Sequence, residues 1–450
     1  MKANLSTIDY KERVIKLKQR LGMVLLEDIV ARVLTVSLRR RVSLREAAKE
    51  LFANLKQYDF LKPPVRVLTL GVCRHFALID RVLELHDFKA TSLYQRNLAR
   101  VVVFEVLLQA RKQKWSRLKK AATRAGLSMT LVKEISKIDP SEIVKGLSGD
   151  RRLSVLYSVP EWLLKEFKTA EIPQLERFLN RIQQDPQLWI RVSTHLIRKG
   201  ELIERLKRNR VEVVEDEHLF DVLKVLSFRG SLSKLSEFRE GLFAVQDKAS
   251  ALVSHVAGGV KRFKVVDITG GPGLKATHMV QLGSLRAMIL EISPRRAGEA
   301  RELIRRLRMD EKVDIIACDS TRPSLSLSKF DVIIVDPPCS NLGRLCSNPE
   351  LKLILRRSDI VSMSKLQEAL LERAVKDAKE GAVIVYSVCT ITLSETSHVL
   401  KRVLGKLDRV SLTEAEPLIG VPDRDVPGTQ RLYPHIHETQ GFYIAKLVRD

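Results

Sequence analysis

Along the first third of the chain, apolar residues recur three and four apart, as in Ile29, Val33 and Val36, then Ala47, Ala48, Leu51 and Leu55. That spacing gathers them on one side of a helix and predicts helices from about Val14 to Asp150. Pro63-Pro64 interrupts the pattern, which resumes through Val67, Leu70, Gly71, Arg74, His75, Leu78, Ile79 and Leu83. The segment Gln95 to Lys120 sets an apolar face (Leu98, Val102, Leu107) against Arg96, Arg100, Arg111, Lys112, Lys114, Arg117, Lys119 and Lys120, with Glu105 its only acid. A face so one-sided predicts phosphate contact. Cys73 and His75 fall inside the helical pattern and read as packing residues.

The pattern changes after Gly146 to Asp150. Leu188 to Val192 and Val211 to Val214 read as strands, with a helix from Glu201 to Arg208 between them, a mixture that predicts a small α+β module ending near Phe238. Arg191, on the first of these strands, either touches a phosphate or faces water. From Gly241 onward strands and helices alternate. Strands are predicted at Lys264–Ile268, Ala287–Ile292, Val313–Cys318, Asp331–Val335, Ala382–Ser387 and Phe442–Val448, and a helix at Ser362–Lys379. Such alternation predicts an α/β fold, a doubly wound, Rossmann-like parallel sheet with helices on both faces. The domains expected are therefore 1–155 all-helical, 156–238 α+β, and 239–450 α/β.

Composition supports a folded chain. Of the 450 residues 45% are hydrophobic and 29% charged, which suits packed cores and excludes disordered or fibrous classes. The formal charge of +24 points to a polyanionic partner, nucleic acid before any other. Residues Met1 to Arg20 show no apolar signal segment, and no apolar run is long enough to cross a bilayer. Five cysteines, Cys73, Cys318, Cys339, Cys346 and Cys389, match neither a disulfide framework nor a zinc cluster. A reducing, cytoplasmic setting follows, and nothing demands more than a monomer.

The chemistry lies at the strand ends. Val332 to Val335 runs into Asp336-Pro337-Pro338-Cys339-Ser340, and Val383 to Val385 runs through Tyr386-Ser387-Val388 into Cys389-Thr390. Ligands of open α/β sheets sit beyond the carboxyl ends of the strands. A helical crossover makes the two strands parallel neighbours, so Cys339 and Cys389 are expected side by side in one cleft. The prolines hold Asp336 toward that cleft, and a cysteine after them favours attack on a ring carbon. The turn Thr269-Gly270-Gly271-Pro272-Gly273-Leu274-Lys275 lets the backbone approach a ligand, though it is no P-loop. Glu291, ending the second strand, is placed for ribose hydroxyls, and Asp319, after the third, for an adenine amine. Cys318 and Cys346 have no such partner and read as structural.

Two resemblances follow. Leu70 to Asp80 and the basic run Arg96-Asn97-Leu98-Ala99-Arg100 resemble the antitermination factor NusB and NusB-like domains fused to RNA methyltransferases, which implies an RNA-binding helical module. Residues from about Trp162 to Arg449 resemble the Sun/nucleolar-protein family of RNA cytosine-5 methyltransferases, in its ribosomal RNA type with a NusB-like front domain. Leu188 to Val192, Val245 to Ser250, Asp267 to Lys275, Asp336 to Ser340, Tyr386 to Thr390, Glu395 and Gly441 to Leu447 carry this second likeness. The family more often has alanines where Gly270 and Gly271 stand, a glycine at Leu274, a threonine at Ala276, threonine and serine at Val388 and Thr390, and an acid at Gln440.

The second resemblance implies S-adenosyl-L-methionine as cofactor, gripped by Thr269 to Lys275, Glu291, Asp319 and Asp336. It implies Cys389 as nucleophile and Cys339 as the residue that helps release product. Thiolate addition to carbon 6 makes carbon 5 of cytosine reactive, with Asp336 holding the ring-nitrogen edge. An exchange of roles between the two thiols stays open. The base must leave its stack, so single-stranded or flipped RNA is expected, ribosomal RNA before transfer RNA. The alternative is a non-catalytic RNA-binding assembly factor.

Overall fold

The computed structural model describes residues 26–109, 115–258, 262–322 and 325–450. The chain forms two compact units, one of Met1–Lys165 with Asn348–Leu355 and one of Glu166–Ser347 with Arg356–Asp450. No helix among the described residues is long and apolar enough to cross a membrane.

The described part of the first unit is helical. Ser43, Ser92 and Ser128 each start a helix by accepting a hydrogen bond from the amide three residues on, which satisfies a donor the helix cannot. The helix Leu93–Leu107 is buried on nearly every side and packs against Leu26–Arg40 and Trp115–Ala125. The single basic segment expected over Gln95 to Lys120 is therefore two helices. Several of its charges are also spent inside the unit. Arg100 grips Asp80 in a fork, at 2.7 Å and 2.6 Å, and Arg96 joins the same carboxylate at 3.0 Å. Arg117 reaches Glu27 at 2.6 Å and also pairs with Glu105. Burial of these groups requires such partners, and the partners come from other helices, where no sequence window could see them. Lys119 and Lys120 are exposed, while Arg111, Lys112 and Lys114 lie outside the described residues, as does the expected helix before Leu26. Cys73 is buried, and the His75 ring stacks on Phe104, as packing residues do.

Residues Asn348–Leu355 join this unit from the far end of the chain. Glu350 accepts the Leu44 amide at 3.1 Å, and the Lys352 ammonium donates to the carbonyl of Arg74 at 3.1 Å.

In the second unit, strands β1 (Leu188–Val192), β2 (Glu212–Glu215), β3 (Val222–Ser227) and β4 (Phe243–Val245) form an antiparallel sheet in the order β2-β3-β1-β4. One face (Ile190, Val192, Leu223, Val225) closes on Leu202 and Leu206 of the helix Lys199–Arg208. β4, three residues long, is too short for periodicity to reveal it. Arg191 faces neither phosphate nor water. It is fully buried, and its guanidinium donates to the Leu274 carbonyl at 2.9 Å and the Thr277 hydroxyl at 3.2 Å. Nearby, the Asp221 carboxylate is shared by His255 at 3.0 Å and His278 at 2.6 Å.

The larger sheet contains β5 (Lys264–Asp267), β6 (Arg286–Leu290), β7 (Val313–Ile316), β8 (Val332–Val335), β9 (Val383–Val388), β10 (Val410–Thr413), β11 (Val421–Pro422), β12 (Gln430–Leu432) and β13 (Phe442–Arg449). Five strands are parallel, in the order β7-β6-β5-β8-β9; β13 pairs antiparallel with β9 and also with the short strands β12 and β10, and β11 pairs with β12 at the edge. The sheet is thus mixed rather than wholly parallel. Val332 to Val335 and Ile384 to Val388 are buried throughout, as strands covered on both faces must be. The helix Arg357–Asp377 crosses from β8 to β9. Strand order reverses between β5 and β8, which opens a crevice at their carboxyl ends.

Candidate active site

Parallel pairing of β8 with β9, Val335 opposite Tyr386, brings the two cysteine turns level. The sulfurs of Cys339 and Cys389 lie 3.4 Å apart. Cys339 is buried and Cys389 partly exposed. The hydrogen bond with Cys389, then burial, push the Cys339 thiol well above its ordinary range, so Cys339 keeps its proton.

A buried carboxylate ties the two turns together. Glu395, fully buried, accepts the Ser340 amide at 2.8 Å, the Ser340 hydroxyl at 2.6 Å, the Thr390 hydroxyl at 3.2 Å and the Thr392 hydroxyl at 2.9 Å. Gln367 completes the set at 3.1 Å. Ser340 and Thr390 follow the two cysteines directly and also bond each other at 2.7 Å. A serine or threonine hydroxyl is therefore what the position after Cys389 requires, and Thr390 supplies it.

Asp336 sits at the mouth of the crevice. Its carboxylate pairs with the Lys275 ammonium and accepts the Ser387 hydroxyl at 3.3 Å, while its amide donates to the Thr269 hydroxyl at 2.8 Å. Asp267, buried behind them, is a site residue that the sequence does not single out, although it ends the first strand of the sheet. Burial raises its carboxyl to about 7, against the pull of Lys275. Burial by itself would lower the Lys275 ammonium, but Asp336 and Asp267 outweigh it and raise the group. Lys275 thus stays charged between two acids.

The glycine turn continues the ladder of β5. Gly270 donates to the Leu290 carbonyl at 3.1 Å, and Gly273, at φ +94°, opens the helix Leu274–Gln281. Pro272 lies between them. Gly271 donates to Glu291 at 3.1 Å, and Ser293 donates to the other Glu291 oxygen at 2.7 Å. A side chain at position 271 would meet that carboxylate, since a Cβ built there comes within 2.1 Å of it. Asp319 is exposed and holds its own turn, accepting the Thr321 amide at 2.9 Å, which keeps its carboxyl below the usual range. The neighbouring Ser320 hydroxyl donates to the Ile268 carbonyl and brings that turn beside the glycine turn. Asn341 is the other residue the sequence did not flag; its amide contacts both cysteine turns. Nothing in its neighbours marks it, because the contact depends on β9 lying alongside.

A doubly wound sheet with a glycine turn and acids at its successive strand ends is the frame of a methyltransferase. Residues 260–448 match the model of the 16S rRNA methyltransferase RsmB/F family, and residues 159–229 that of the ferredoxin-like domain of RsmF/B-like methyltransferases. Over these residues the chain is similar to the RsmB/F methyltransferases. The ribosomal RNA small subunit methyltransferase B of Yersinia enterocolitica is 27% identical over 296 residues, 65% of this chain and 67% of that one. Its counterpart from Serratia proteamaculans is 25% identical over 366 residues, 81% and 82% of the two chains. Among solved structures, PH0851 matches with a TM-score of 0.77 at 24% identity, over 95% of this chain and 99% of that one. NSun6 from Pyrococcus horikoshii, solved with SFG, matches with a TM-score of 0.58 at 22% identity, over 64% of this chain and 97% of that one. These last two likenesses establish the fold.

Proposed function

We propose that the protein transfers a methyl group from S-adenosyl-L-methionine to carbon 5 of a cytosine in RNA, ribosomal RNA first among substrates, in the cytoplasm. The observation that carries the reading is the 3.4 Å separation of Cys339 and Cys389 at the crevice. Two thiols so close can serve one pyrimidine ring, one adding to carbon 6 and the other managing the proton at carbon 5.

Cys389 is the nucleophile, since it is the more exposed sulfur and Cys339 is held protonated. Addition of the Cys389 thiolate to carbon 6 pushes electrons to carbon 5, and Asp336 supports the charge at the ring-nitrogen edge. Lys275 keeps Asp336 oriented from the side of the glycine turn. The cofactor supplies the methyl group, with Thr269 to Lys275, Glu291, Asp319 and Asp336 as the residues that hold it. Once the Cys389 sulfur is bonded to carbon 6, the contact that holds the proton on Cys339 is gone. Cys339 gives its proton to solvent, its thiolate then assists removal of the carbon 5 proton, and Cys389 leaves as a thiolate. Residues 1–155 and 156–238 serve as the RNA-gripping modules, with 239–450 as the methyltransferase domain.

The test is trapping with RNA carrying 5-fluorocytosine, whose carbon 5 fluorine cannot leave as a proton does. A covalent adduct forms with the wild-type protein and with Cys339→Ala, and is absent with Cys389→Ala. An adduct surviving Cys389→Ala reverses the roles of the thiols. No adduct and no calorimetric binding of S-adenosyl-L-methionine by the wild-type protein removes the enzyme reading.

A further inference from the structure

Asn341 stands two residues past Cys339, at the start of the turn Leu342–Arg344, with φ +57° and ψ +22°. Asparagine tolerates this left-handed conformation better than most residues, and glycine better still. The Asn341 amide nitrogen donates to the Cys339 carbonyl at 2.9 Å, and its amide oxygen accepts from the Cys389 sulfur at 3.1 Å. One planar group therefore spans the backbone of one cysteine turn and the reactive atom of the other.

An oxygen at that distance suits a protonated sulfur, because a thiolate there would face the negative end of a dipole. The amide has a second setting, a half-turn away about its terminal torsion, which exchanges oxygen and nitrogen. In that setting the nitrogen faces the sulfur. The bond to the Cys339 carbonyl is lost, and a stronger, charge-assisted N–H···S⁻ bond replaces it. Among the described residues, Cys339 and Asn341 are the groups within hydrogen-bond range of the Cys389 sulfur. The charged groups around it are Lys275, which is coupled electrostatically to Cys389, Asp336 beside Lys275 and bonded to Ser387, and Glu395 behind Thr390. None of these places an N–H on the sulfur.

We infer that Asn341 is a further catalytic residue, whose amide oxygen holds Cys389 as a thiol at rest and whose amide nitrogen, once turned, donates to the thiolate that attacks the base. The inference rests on Cys389 being the attacking cysteine. On activation the Cys389 proton passes to solvent, to which that side chain is partly open.

The experiment is alkylation of Cys389 by iodoacetamide, in which a carbon–sulfur bond forms and iodide leaves. It is followed by peptide mass spectrometry on the full chain without RNA or cofactor, from about pH 6 to about pH 10, a range that brackets ordinary thiols. Asn341→Gly suits the backbone angle and deletes only the amide. It moves the alkylation midpoint up by about one pH unit, the order expected for losing one hydrogen bond to a charged group. Asn341→Asp keeps the size, removes the donor and adds a negative charge, and moves the midpoint further in the same direction. Midpoints coinciding with wild type in both variants overturn the inference. Because no RNA is present, that outcome leaves the fluorocytosine trapping result standing on its own.

Discussion

Glu395 holds Ser340 twice, accepting its amide at 2.8 Å and its hydroxyl at 2.6 Å, and so fixes the residue after Cys339 from the turn that follows Cys389. Replacing Glu395 by alanine strands several buried donors at once. A loss of about 3 kcal/mol or more is expected, since each unmade buried bond costs roughly 1–3 kcal/mol. Glu395→Gln keeps the volume but turns one acceptor into a donor facing donors, with a smaller loss. Urea unfolding measures both. In Glu395→Gln the rate of fluorocytosine adduct formation drops while S-adenosyl-L-methionine affinity holds, because the clamp touches the cysteine turns and not the glycine turn.

Arg191 supports the other side of the site. Its guanidinium holds the Leu274 carbonyl, at the first residue of the helix that follows the glycine turn. Burial lowers the group to about 9, with Asp221 opposing that fall, so it stays charged near neutrality. Arg191→Met removes the donors to the buried Leu274 carbonyl and Thr277 hydroxyl, at an expected cost of about 1–3 kcal/mol. Cofactor affinity should weaken as well, read by calorimetry at a temperature where the variant is still folded.

The Asp221–His278 pair sets a pH dependence. Burial, then the charge of Arg191, lowers His278 to about 4, while Asp221 pulls the other way. The unfolded chain takes up that proton near pH 6.5, before the folded one does, so stability falls as pH drops from about 6.5 to about 4. The full span is worth about 3 kcal/mol. Asp221 is itself held well below the usual carboxylate range; although its own burial opposes this, His278 and His255 prevail. Its contribution is present above the unfolded value near 3.9 and disappears below it, so it steepens only the acid end. Urea midpoints at pH 7.5, 6 and 5 show the slope, and His278→Gln flattens it.

The two glycines of the turn should respond differently to alanine. A Cβ at Gly270 would come within 2.8 Å of the Asp267 carboxyl carbon and 2.9 Å of an Ile289 methyl, both in the packed interior. Gly270→Ala is expected to cost about 1–3 kcal/mol, as overpacking does. At Gly271 the obstacle is the end of the Glu291 side chain, which can swing aside. Gly271→Ala should leave the melting temperature nearly unchanged while weakening S-adenosyl-L-methionine binding, because Glu291 is displaced. Alanines tolerated at both positions with unchanged binding would contradict the role given to Glu291.

The strand ends were legible in the sequence because their signal is local. A β-branched run closed by Asp336-Pro337-Pro338 or by Cys389-Thr390 marks a buried strand and its turn without any distant partner. The acids Glu291 and Asp319 and the turn Thr269 to Lys275 could be located for the same reason, as could the helix between β8 and β9. What the tertiary structure decided were the pairings between remote residues. In the basic segment, Asp80 takes Arg100 and Glu27 takes Arg117 from other helices, pairings that no stretch of sequence displays. Arg191 reads as facing either a phosphate or water until a helix some 80 residues later covers it. Glu395, Asn341 and Asp267 acquire meaning only when two turns or a buried cation lie beside them. Periodicity records which side of an element is apolar, whereas hydrogen bonds and ion pairs depend on positions across the fold that burial leaves without any alternative partner.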